Sequence, residues 1–580
     1  MNQTTVSRRS IGVTFPTEQE ANVVVWAPRA NQVVISVNGD AHSLPLASDD
    51  TGYWTVTTDQ LKPGDLYSFV IDGEKEYADP ASLAQPQGVY GPSQAFDTRT
   101  FYWEESCWVN PPLDEYILYE LDTYTFTPEG TFKAVVKKLG YLKTLGINAI
   151  VIRPVTPFPD SRNWSSDGVF LYAVQASYGG PAQLQQLINA CHVKGIAVVM
   201  DLAYNHLGSQ GDTFSDCRTY SSRKLSPRPG KPTYVSEAQR EAGRRYLVEN
   251  ALMWFRDFHV DALRLHAAHT LSNPEQLLKE IRQKTNELST TTNRHHYLLI
   301  ENGVNLTSPV EQGDEQASPL ADGLDQMRQG ESYTTYCAEH ELSRHLTKTY
   351  REDYLYDEPF STVLQESFDR HSDTEPASGK SFVLFSQPYK SPSAAPPCSD
   401  QTISFEQLKL MAGSIMVSPY VPTLFMGEEW GVTNPFELDQ PTQTESKRSD
   451  TPAHPALPWE MLDQVPNKTL FEYYQALTSL RRQQSALHHL NPKEVAVIQH
   501  KEQQTMLLHR WHAKNDIVCL MNFSADPQAI TLPALDREWQ KLLDSADPRW
   551  SGPAASPDSL SNADTLTLQP ESIVVYKARQ

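Results

Sequence analysis

From residue 116 onward, short apolar runs alternate with helical patterns, and this alternation narrows the folds open to the chain more than any other feature. The strand candidates are 116–121, 149–152, 196–200, 260–265, 297–300, 382–385 and 423–426, with a weaker sixth-position strand near 320–327. The helical patterns between them include 132–145, 181–194, 237–258 and 273–288. Continuous apolar runs are typical of buried parallel strands, and their alternation with helices is the βαβ pattern. The sequence therefore predicts an α/β fold, a (β/α)8 TIM barrel over residues 111–490.

Segments rich in β-formers lie on both sides of the predicted barrel. Before it, the runs 23–26, 32–37, 53–56 and 67–71 are split by turns such as Asn38-Gly39, which predicts an N-terminal β-sandwich within residues 1–110. The segment 79–93 is too rich in Pro and Gly for regular structure, so we expect a fixed linker laid against the barrel. A helix at 470–484 is followed by runs at 495–498, 505–508, 517–521 and 573–576. These runs predict a small C-terminal β-sandwich domain over residues 491–580.

Composition excludes several classes of partner. The net charge is −22 and the pI is near 5.2, whereas a nucleic-acid partner requires a basic face. No apolar run reaches the ~18 residues of a membrane span, and no apolar signal-peptide segment follows the basic residues near the N-terminus. The six cysteines are scattered without a C-x-x-C pair, which favours reduced thiols over disulfides or a zinc site. The sequence thus predicts a soluble cytoplasmic protein with no cofactor, metal, membrane or nucleic-acid ligand.

The stretch 260–269, Val-Asp-Ala-Leu-Arg-Leu-His-Ala-Ala-His, places polar residues at or just past the end of a predicted strand. Its apolar front half forms the strand, and Arg264, His266 and His269 follow. In a (β/α)8 barrel, residues that leave the C-terminal ends of the strands face the active-site mouth. These three residues are therefore candidate site residues.

Five motifs occur in an order and spacing that together resemble the maltooligosyltrehalose trehalohydrolase family of the α-amylase superfamily, which is similar to glycoside hydrolase family 13. They are Asp79-Pro-Ala-Ser…Gly-Pro-Ser93, Tyr124-Thr-Phe-Thr-Pro-Glu-Gly-Thr-Phe132, Gln175-Ala-Ser-Tyr-Gly-Gly-Pro181, Asp201-Leu-Ala-Tyr-Asn-His206 and Leu424-Phe-Met-Gly-Glu-Glu-Trp-Gly431. The resemblance covers nearly the whole chain. It implies an immunoglobulin-like N-terminal sandwich of the carbohydrate-binding type, the barrel and a C-terminal β-domain. It also implies cleavage of the α-1,4 bond beside a terminal trehalose, with a maltooligosaccharide or maltooligosyltrehalose as ligand.

The resemblance also assigns roles to individual residues. Retaining glycoside hydrolysis uses a protonated carboxyl and an ionised one about 5–5.5 Å apart. In this superfamily a third acid holds the distorted sugar. Glu301 matches the general acid. The matches to the scaffold and sugar-binding groups are Asp167, Asp201, Asn205, His206, Arg264 and His269.

Three positions of the innermost subsite depart from the family pattern. His266 stands at the nucleophile position, Lys390 at the third-acid position, and Ser166 where the family has a tyrosine that stacks on the sugar. A neutral imidazole brings no negative charge to an oxocarbenium-like transition state, and a cation repels it. Asp261 is five residues upstream of His266, about 16 Å along the strand, and is too far away to replace the nucleophile. We therefore expect hydrolysis to be lost or nearly lost.

Other interpretations of these residues remain open. His266 is either a hydrogen-bonded filler or a catalytic group, and Glu301 is either a relic paired with Lys390 or Arg264 or a retained proton donor. A zinc site could converge on Asp201, His206, His266 and Glu301, although no compact ligand motif supports it. Trp164 and Trp430 either line sugar subsites or pack in the core.

The sequence supports three hypotheses for the function of the protein. The leading one is a degenerate trehalohydrolase-like protein with residual glucan binding. The second is an active glycosidase with a rearranged site that hydrolyses the bond next to terminal trehalose. The third is a regulatory partner of a glucan enzyme, for which a protein partner or a homo-oligomer is expected. The sequence does not choose between a ligand-binding relic and a regulatory partner.

Overall fold

The structure of the chain is a computed structural model. It describes residues 6–39, 41–73, 75–158, 169–204, 237–266, 274–301, 332–335, 383–385, 404–419, 421–432, 456–491, 494–500, 503–531, 537–561 and 565–579. None of the helices in these ranges is long and apolar enough to cross a membrane.

Two antiparallel sheets share one core at the N-terminal end. Their strands are β1 Gly12–Thr14, β2 Ala21–Trp26, β3 Val33–Val37, β4 His42–Pro45, β5 Ala47–Ser48, β6 Tyr53–Thr58, β7 Leu66–Ile71, β8 Lys75–Tyr77 and β9 Ser93–Gln94. One sheet has the order β1-β2-β6-β5, and the other has the order β4-β3-β7-β8 with β9 beside β7. Val23 and Val25 of one sheet are buried in the same cluster as Ile35 and Phe69 of the other. This packing of two inner faces is a β-sandwich.

Eight parallel strands form the central sheet. They are β10 Leu118–Leu121, β11 Ala149–Ile152, β12 Ala197–Ala203, β13 Ala262–His266, β14 Tyr297–Glu301, β15 Ser332–Thr335, β16 Val383–Phe385 and β17 Val421–Phe425. Their order is β15-β14-β13-β12-β11-β10-β17-β16, and every neighbouring pair is parallel. The strands at the two ends of this order, β15 and β16, also approach each other. The predicted (β/α)8 barrel is therefore confirmed.

Helices alternate with the barrel strands, and the last two follow the final strand. They are α1 Thr123–Phe126, α2 Phe132–Leu145, α3 Gly180–Val193, α4 Glu237–Asp257, α5 Pro274–Thr292, α6 Phe405–Val417, α7 Asn467–Gln483 and α8 Ser485–His488. Helix α2 begins where the Thr131 side chain accepts from the Ala134 amide. It ends at Gly146, whose φ of 98° lies in the left-handed region that favours glycine. The local signals that start and stop this helix are thus present in the sequence.

The C-terminal strands form one six-stranded and one two-stranded antiparallel sheet. They are β18 Val495–His500, β19 Thr505–His512, β20 Asn515–Asn522, β21 Gln528–Thr531, β22 Trp539–Asp544, β23 Ser559–Leu560, β24 Thr565–Leu568 and β25 Ser572–Ala578. The orders are β18-β19-β20-β25-β22-β23 and β21-β24. Leu507 and Val518 of the larger sheet share a buried cluster with Ile530 and Leu568 of the smaller one. The two sheets therefore pack as the predicted C-terminal β-sandwich.

The sixth barrel strand differs from the sequence expectation. Ser332–Thr335 is the strand that pairs with β14, whereas the predicted segment 320–327 lies outside the described residues. The sequence Ser-Tyr-Thr-Thr favours a strand through its aromatic and β-branched residues but is not an apolar run. A search for apolar runs therefore misses it.

The Pro- and Gly-rich segment 79–93 is held against the barrel by specific contacts, as its composition predicts. The Tyr246 hydroxyl of α4 donates to the Pro80 carbonyl at 2.7 Å. The Val174 amide donates to the Leu83 carbonyl at 3.1 Å. Asp79 is buried and accepts from the Tyr67 hydroxyl at 2.8 Å. The segment is thus an ordered part of the fold.

A buried ionic cluster lies at the end of the barrel where the strands begin. His192 of α3 is bonded through Nδ1 to Glu105 and through Nε2 to Asp261 at 2.8 Å. Trp108 stacks on the imidazole and donates to Asp261 at 2.8 Å, and Arg294 also donates to Glu105. Burial acts to lower the pKa of His192, but the charges and hydrogen bonds of Asp261 and Glu105 outweigh it and raise the pKa to about 9. Ionised carboxylates only accept hydrogen bonds, so the imidazolium form fits both contacts.

This cluster predicts a loss of stability in alkaline solution. Because the folded-state pKa of His192 is raised, its contribution is fully present below about pH 6.5, the ordinary value, and is lost as the pH rises through about 9. We expect the free energy of unfolding in urea to fall across this window. His192→Gln should lower it at pH 6.5 and flatten its dependence on pH, whereas the control His42→Gln, at an exposed position, should follow the wild type. Equal slopes for the wild type and His192→Gln would contradict the assignment.

Candidate active site

Three strands of the barrel supply charged side chains that meet in its interior. Arg264 of β13 donates through Nη1 to Glu120 Oε2 of β10 at 2.7 Å and through Nη2 to Asp201 Oδ2 of β12 at 2.6 Å. Asp201 and Arg264 are register partners on adjacent strands, but two strands separate β13 from β10. The contact with Glu120 therefore crosses the inside of the barrel. All three side chains are buried.

A second arginine completes what we call the Arg264 network, which consists of Glu120, Arg153, Asp201 and Arg264. Arg153 follows β11, and its Nη1 lies 3.8 Å from Glu120 Oε1. Burial acts to lower the pKa of Arg264, but the charges and hydrogen bonds of Asp201 and Glu120 outweigh it and raise the pKa well above its ordinary value. Two guanidinium groups thus face two carboxylates, and the formal charge of the network is zero.

Asp201 has one oxygen that the network does not use. Oδ2 accepts from Arg264, while Oδ1 is buried and accepts no hydrogen bond from the residues that the structure describes. Buried carboxylate oxygens without a partner are uncommon in folded proteins. Among the described residues, this oxygen is thus left able to accept a further hydrogen bond.

The two predicted reacting positions adjoin each other at the end of the sheet. His266 is the last residue of β13, and Glu301 is the last residue of β14. Leu265 and Ile300 are register partners on these two strands, and His266 and Glu301 are the next residues along each strand. The other predicted site residues lie outside the described ranges, and these are Asp167, Asn205, His206, His269 and Lys390.

Asp261 lies at the opposite end of β13 from His266, as expected from the sequence. Its carboxylate accepts from the Val198 amide at 2.8 Å and belongs to the ionic cluster with His192. It directly precedes the first residue of the strand. Asp261 therefore supplies no charge at position 266.

Sequence reasoning missed Glu120 and Arg153. Glu120 is a charged residue inside an otherwise apolar strand, and Arg153 directly follows the next strand. Charged residues are almost never fully buried unless they are paired, so both positions carried a signal for an internal ion pair. Nothing local in the chain identifies their partners.

The motif after β17 has a structural role in the described part of the chain. Glu429 is buried and accepts from the hydroxyls of Tyr119 at 2.8 Å and Tyr141 at 2.7 Å. Burial raises its pKa to about 7, although these hydrogen bonds oppose the shift. Trp430 is fully buried, with its ring 5.0 Å from that of Trp459, so it packs in the core and does not line a sugar subsite. Trp164 lies outside the described residues.

An eight-stranded parallel barrel that lies between two β-sandwiches in the chain, with charged side chains in its interior, is the architecture that the sequence resemblance to the α-amylase superfamily implies. Family profiles agree with this class. "Alpha amylase, catalytic domain" matches residues 121–229, and "Carbohydrate-binding module 48 (Isoamylase N-terminal domain)" matches residues 10–85.

Relatives narrow the class to one family. The chain is 32% identical over 429 residues to the malto-oligosyltrehalose trehalohydrolase of Saccharolobus solfataricus, covering 71% of this chain and 74% of that protein. It is 27% identical over 561 residues to that of Rhizobium sp. (strain M-11), covering 89% and 93%. The chain therefore belongs to the malto-oligosyltrehalose trehalohydrolase family.

Solved structures with low sequence identity share the fold. The putative alpha amylase from Salmonella typhimurium superimposes with a TM-score of 0.71 at 22% identity, over 99% of this chain and 100% of that one. Pullulanase type I from Bacillus subtilis, complexed with maltose, gives a TM-score of 0.75 at 16% identity, over 98% and 85%. At these identities the likeness establishes the architecture alone.

The Arg264 network predicts a large stability loss when its central cation is removed. Arg264→Met leaves two buried carboxylates without their shared partner, and breaking a buried pair in this way costs about 3–5 kcal/mol. Arg264→Lys keeps the positive charge but cannot donate from two nitrogens to two carboxylates, so we expect an intermediate loss of stability. Urea unfolding measures both. The control is Arg579→Met, which removes an exposed ion pair with Glu538 and should cost less than about 1 kcal/mol. Similar losses for Arg264→Met and the control would contradict the assigned role.

Proposed function

We propose that this protein is a trehalohydrolase-family member that has lost or nearly lost glycoside hydrolysis and retains an α-glucan-binding pocket. The observation that carries the proposal is the zero net charge of the Arg264 network, beside a strand end that bears His266 at the nucleophile position. The proposal rests on the chemistry that retaining hydrolysis requires.

A retaining glycosidase needs an ionised carboxylate beneath the reacting sugar. Glu120 and Asp201 are carboxylates of the barrel interior, but both are bonded to Arg264, and Arg153 lies close to Glu120. Neither provides an uncompensated negative charge. Position 266 would have to supply that charge, and histidine is either neutral or cationic there.

The backbone supports placing position 266 in the reacting subsite. Successive residues of a strand alternate between the two faces of a sheet, so positions 264 and 266 share a face. Arg264 occupies the barrel interior, and position 266 is two residues nearer the C-terminal end of β13. Active sites of (β/α)8 barrels are built at this end of the strands.

The charge change at positions 266 and 390 is large enough to abolish useful turnover. At an effective dielectric of 20, one unit-charge interaction at 4 Å is worth about 4 kcal/mol. Loss of that attraction corresponds to about a thousandfold in rate. In our proposal Lys390 stands at the third-acid position and adds repulsion, and it also favours the ionised form of Glu301, which a general acid must avoid.

Retained glucan binding is supported by polar groups that do not depend on the lost acids. Asp201 Oδ1 offers a buried acceptor to a sugar hydroxyl, and its partner atom Oδ2 is fixed by Arg264. A group held in place before binding loses little freedom when the ligand arrives. We therefore expect affinity to survive where turnover does not.

Restoring both acids should restore hydrolysis. We expect wild-type protein to release trehalose from maltooligosyltrehalose at least about a thousandfold more slowly than the double variant His266→Asp/Lys390→Asp. Product release measured by chromatography distinguishes the two. A third protein, with Glu301→Gln added to the double variant, should be inactive again because the general acid is removed. Wild-type turnover at ordinary enzymatic rates would falsify the proposal.

Binding can be tested in the same samples. Calorimetric titration of the wild type with maltooligosyltrehalose should give a measurable heat of binding, and chromatography afterwards should recover the ligand intact. The matched titrant is cellooligosaccharide of equal length, whose β-linked shape should not fit an α-glucan pocket. Absence of binding at millimolar ligand would reject the retained pocket while leaving the loss of hydrolysis standing.

A further inference from the structure

A second group of ligating side chains lies where the chain passes from helix α8 into the C-terminal sheet. His489 directly follows α8, Glu494 directly precedes β18, and His512 is the last residue of β19. His512 Nδ1 lies 2.9 Å from Glu494 Oε2, and His489 Nε2 lies 3.9 Å from the same oxygen. One ligand atom from each residue lies within 4.8 Å of the other two. No role in the trehalohydrolase fold or site accounts for this convergence.

The spacing of these three atoms matches the ligand shell of a small divalent cation. Zinc binds histidine nitrogen at about 2.0–2.1 Å and carboxylate oxygen at about 2.0–2.2 Å, so the ligands of one tetrahedral ion are roughly 3.4 Å apart. The separations of 2.9 and 3.9 Å lie on either side of this value. Both separations that involve Glu494 are thus close to the value for a shared ion, and the two imidazole nitrogens lie within 4.8 Å of each other.

The arrangement of the two rings also favours a shared cation. The imidazole centroids of His489 and His512 are 3.8 Å apart with an interplanar angle of 38°. Two protonated rings at this distance repel each other. Two neutral rings and one carboxylate, in contrast, present a nitrogen-rich set of donors with a single negative charge.

The backbone holds two of the three ligands in place. Arg510 is buried, and its Nη2 donates to the His489 carbonyl at 2.9 Å. His512 pairs with Asn515 at the turn between β19 and β20. The three side chains are each about one-quarter to two-fifths exposed, at 37% for His489, 26% for Glu494 and 33% for His512. An ion can therefore enter from solvent and complete its coordination with water.

We propose that His489, Glu494 and His512 bind a zinc ion that fastens the segment before β18 to the end of β19. Imidazole donors select zinc over calcium and magnesium, which prefer all-oxygen shells. Three protein ligands and a water make a four-coordinate site. The ion would link the connection that leaves the barrel to the first hairpin of the C-terminal sheet, so we expect its binding to stabilise this junction. The inference is independent of the proposed loss of hydrolysis.

Zinc titration of the full chain tests the site. After treatment with a chelator, the wild type should take up one zinc equivalent in competition with a chromophoric indicator. Each of the variants His489→Gln, Glu494→Gln and His512→Gln should weaken that equivalent by at least about tenfold, since even groups that only orient a ligand contribute tenfold or more. Calcium and magnesium should not displace the zinc ion whose binding the indicator reports.

The matched control is His509→Gln. His509 is also in β19 and also pairs with a carboxylate, with Nε2 2.6 Å from Asp516 Oδ1, but no third ligating residue joins that pair in the described part of the chain. This variant should keep wild-type zinc affinity. Zinc should also raise the Tm of the wild type and of His509→Gln, but not of the three ligand variants.

Two outcomes overturn the proposal. One is wild-type protein with no zinc equivalent tighter than millimolar. The other is unchanged zinc affinity in both Glu494→Gln and His512→Gln, which would place the bound ion elsewhere. Glu494→Gln is nearly isosteric, so it keeps the test decisive if a histidine variant fails to fold.

Discussion

The interior of the barrel depends on one guanidinium that binds carboxylates from two different strands. Arg264 connects β13 to Asp201 on the neighbouring strand and to Glu120 across the interior. Removing Arg264 would take from both buried carboxylates the cation that they share, which is strongly destabilising. The network therefore contributes to the stability of the barrel, whether or not the site turns over substrate.

Scaffold and reacting groups are separated along a single strand. Arg264 is held within β13 by two carboxylates, whereas His266 ends the strand and Asp261 precedes it in a different ionic cluster. The described bonds of the two clusters are made by Arg264 with Glu120 and Asp201, and by Asp261 with His192. The proposed change of charge at position 266 is compatible with all of these bonds. Fold and turnover can therefore be considered separately in this barrel.

The sequence predicted the architecture well because apolar periodicity and turn residues are local signals. Strand β11 was predicted with the bounds that the structure has, while β15 was misplaced because Ser-Tyr-Thr-Thr is not an apolar run. Glu120 and Arg264 are 144 residues apart, and nothing local indicates that they meet. The sequence supports a sugar-subsite role and a core role for Trp430 equally, because the burial of an aromatic ring depends on the neighbours that the tertiary structure brings to it. Residue spacing alone therefore does not reveal contacts between side chains that are far apart in the sequence.

The barrel interior and the proposed zinc site differ in the kind of charge that compensates their carboxylates. Glu120 and Asp201 face guanidinium groups, which stay protonated at any ordinary pH. Glu494 instead faces two imidazoles, which become neutral ligands when their protons leave. The hairpin of β18 and β19 brings residues 494 and 512 together by pairing Val495 with Arg510. Glu120 and Asp201 are therefore held by permanent cations, whereas in our proposal Glu494 shares a zinc ion with the two imidazoles that face it.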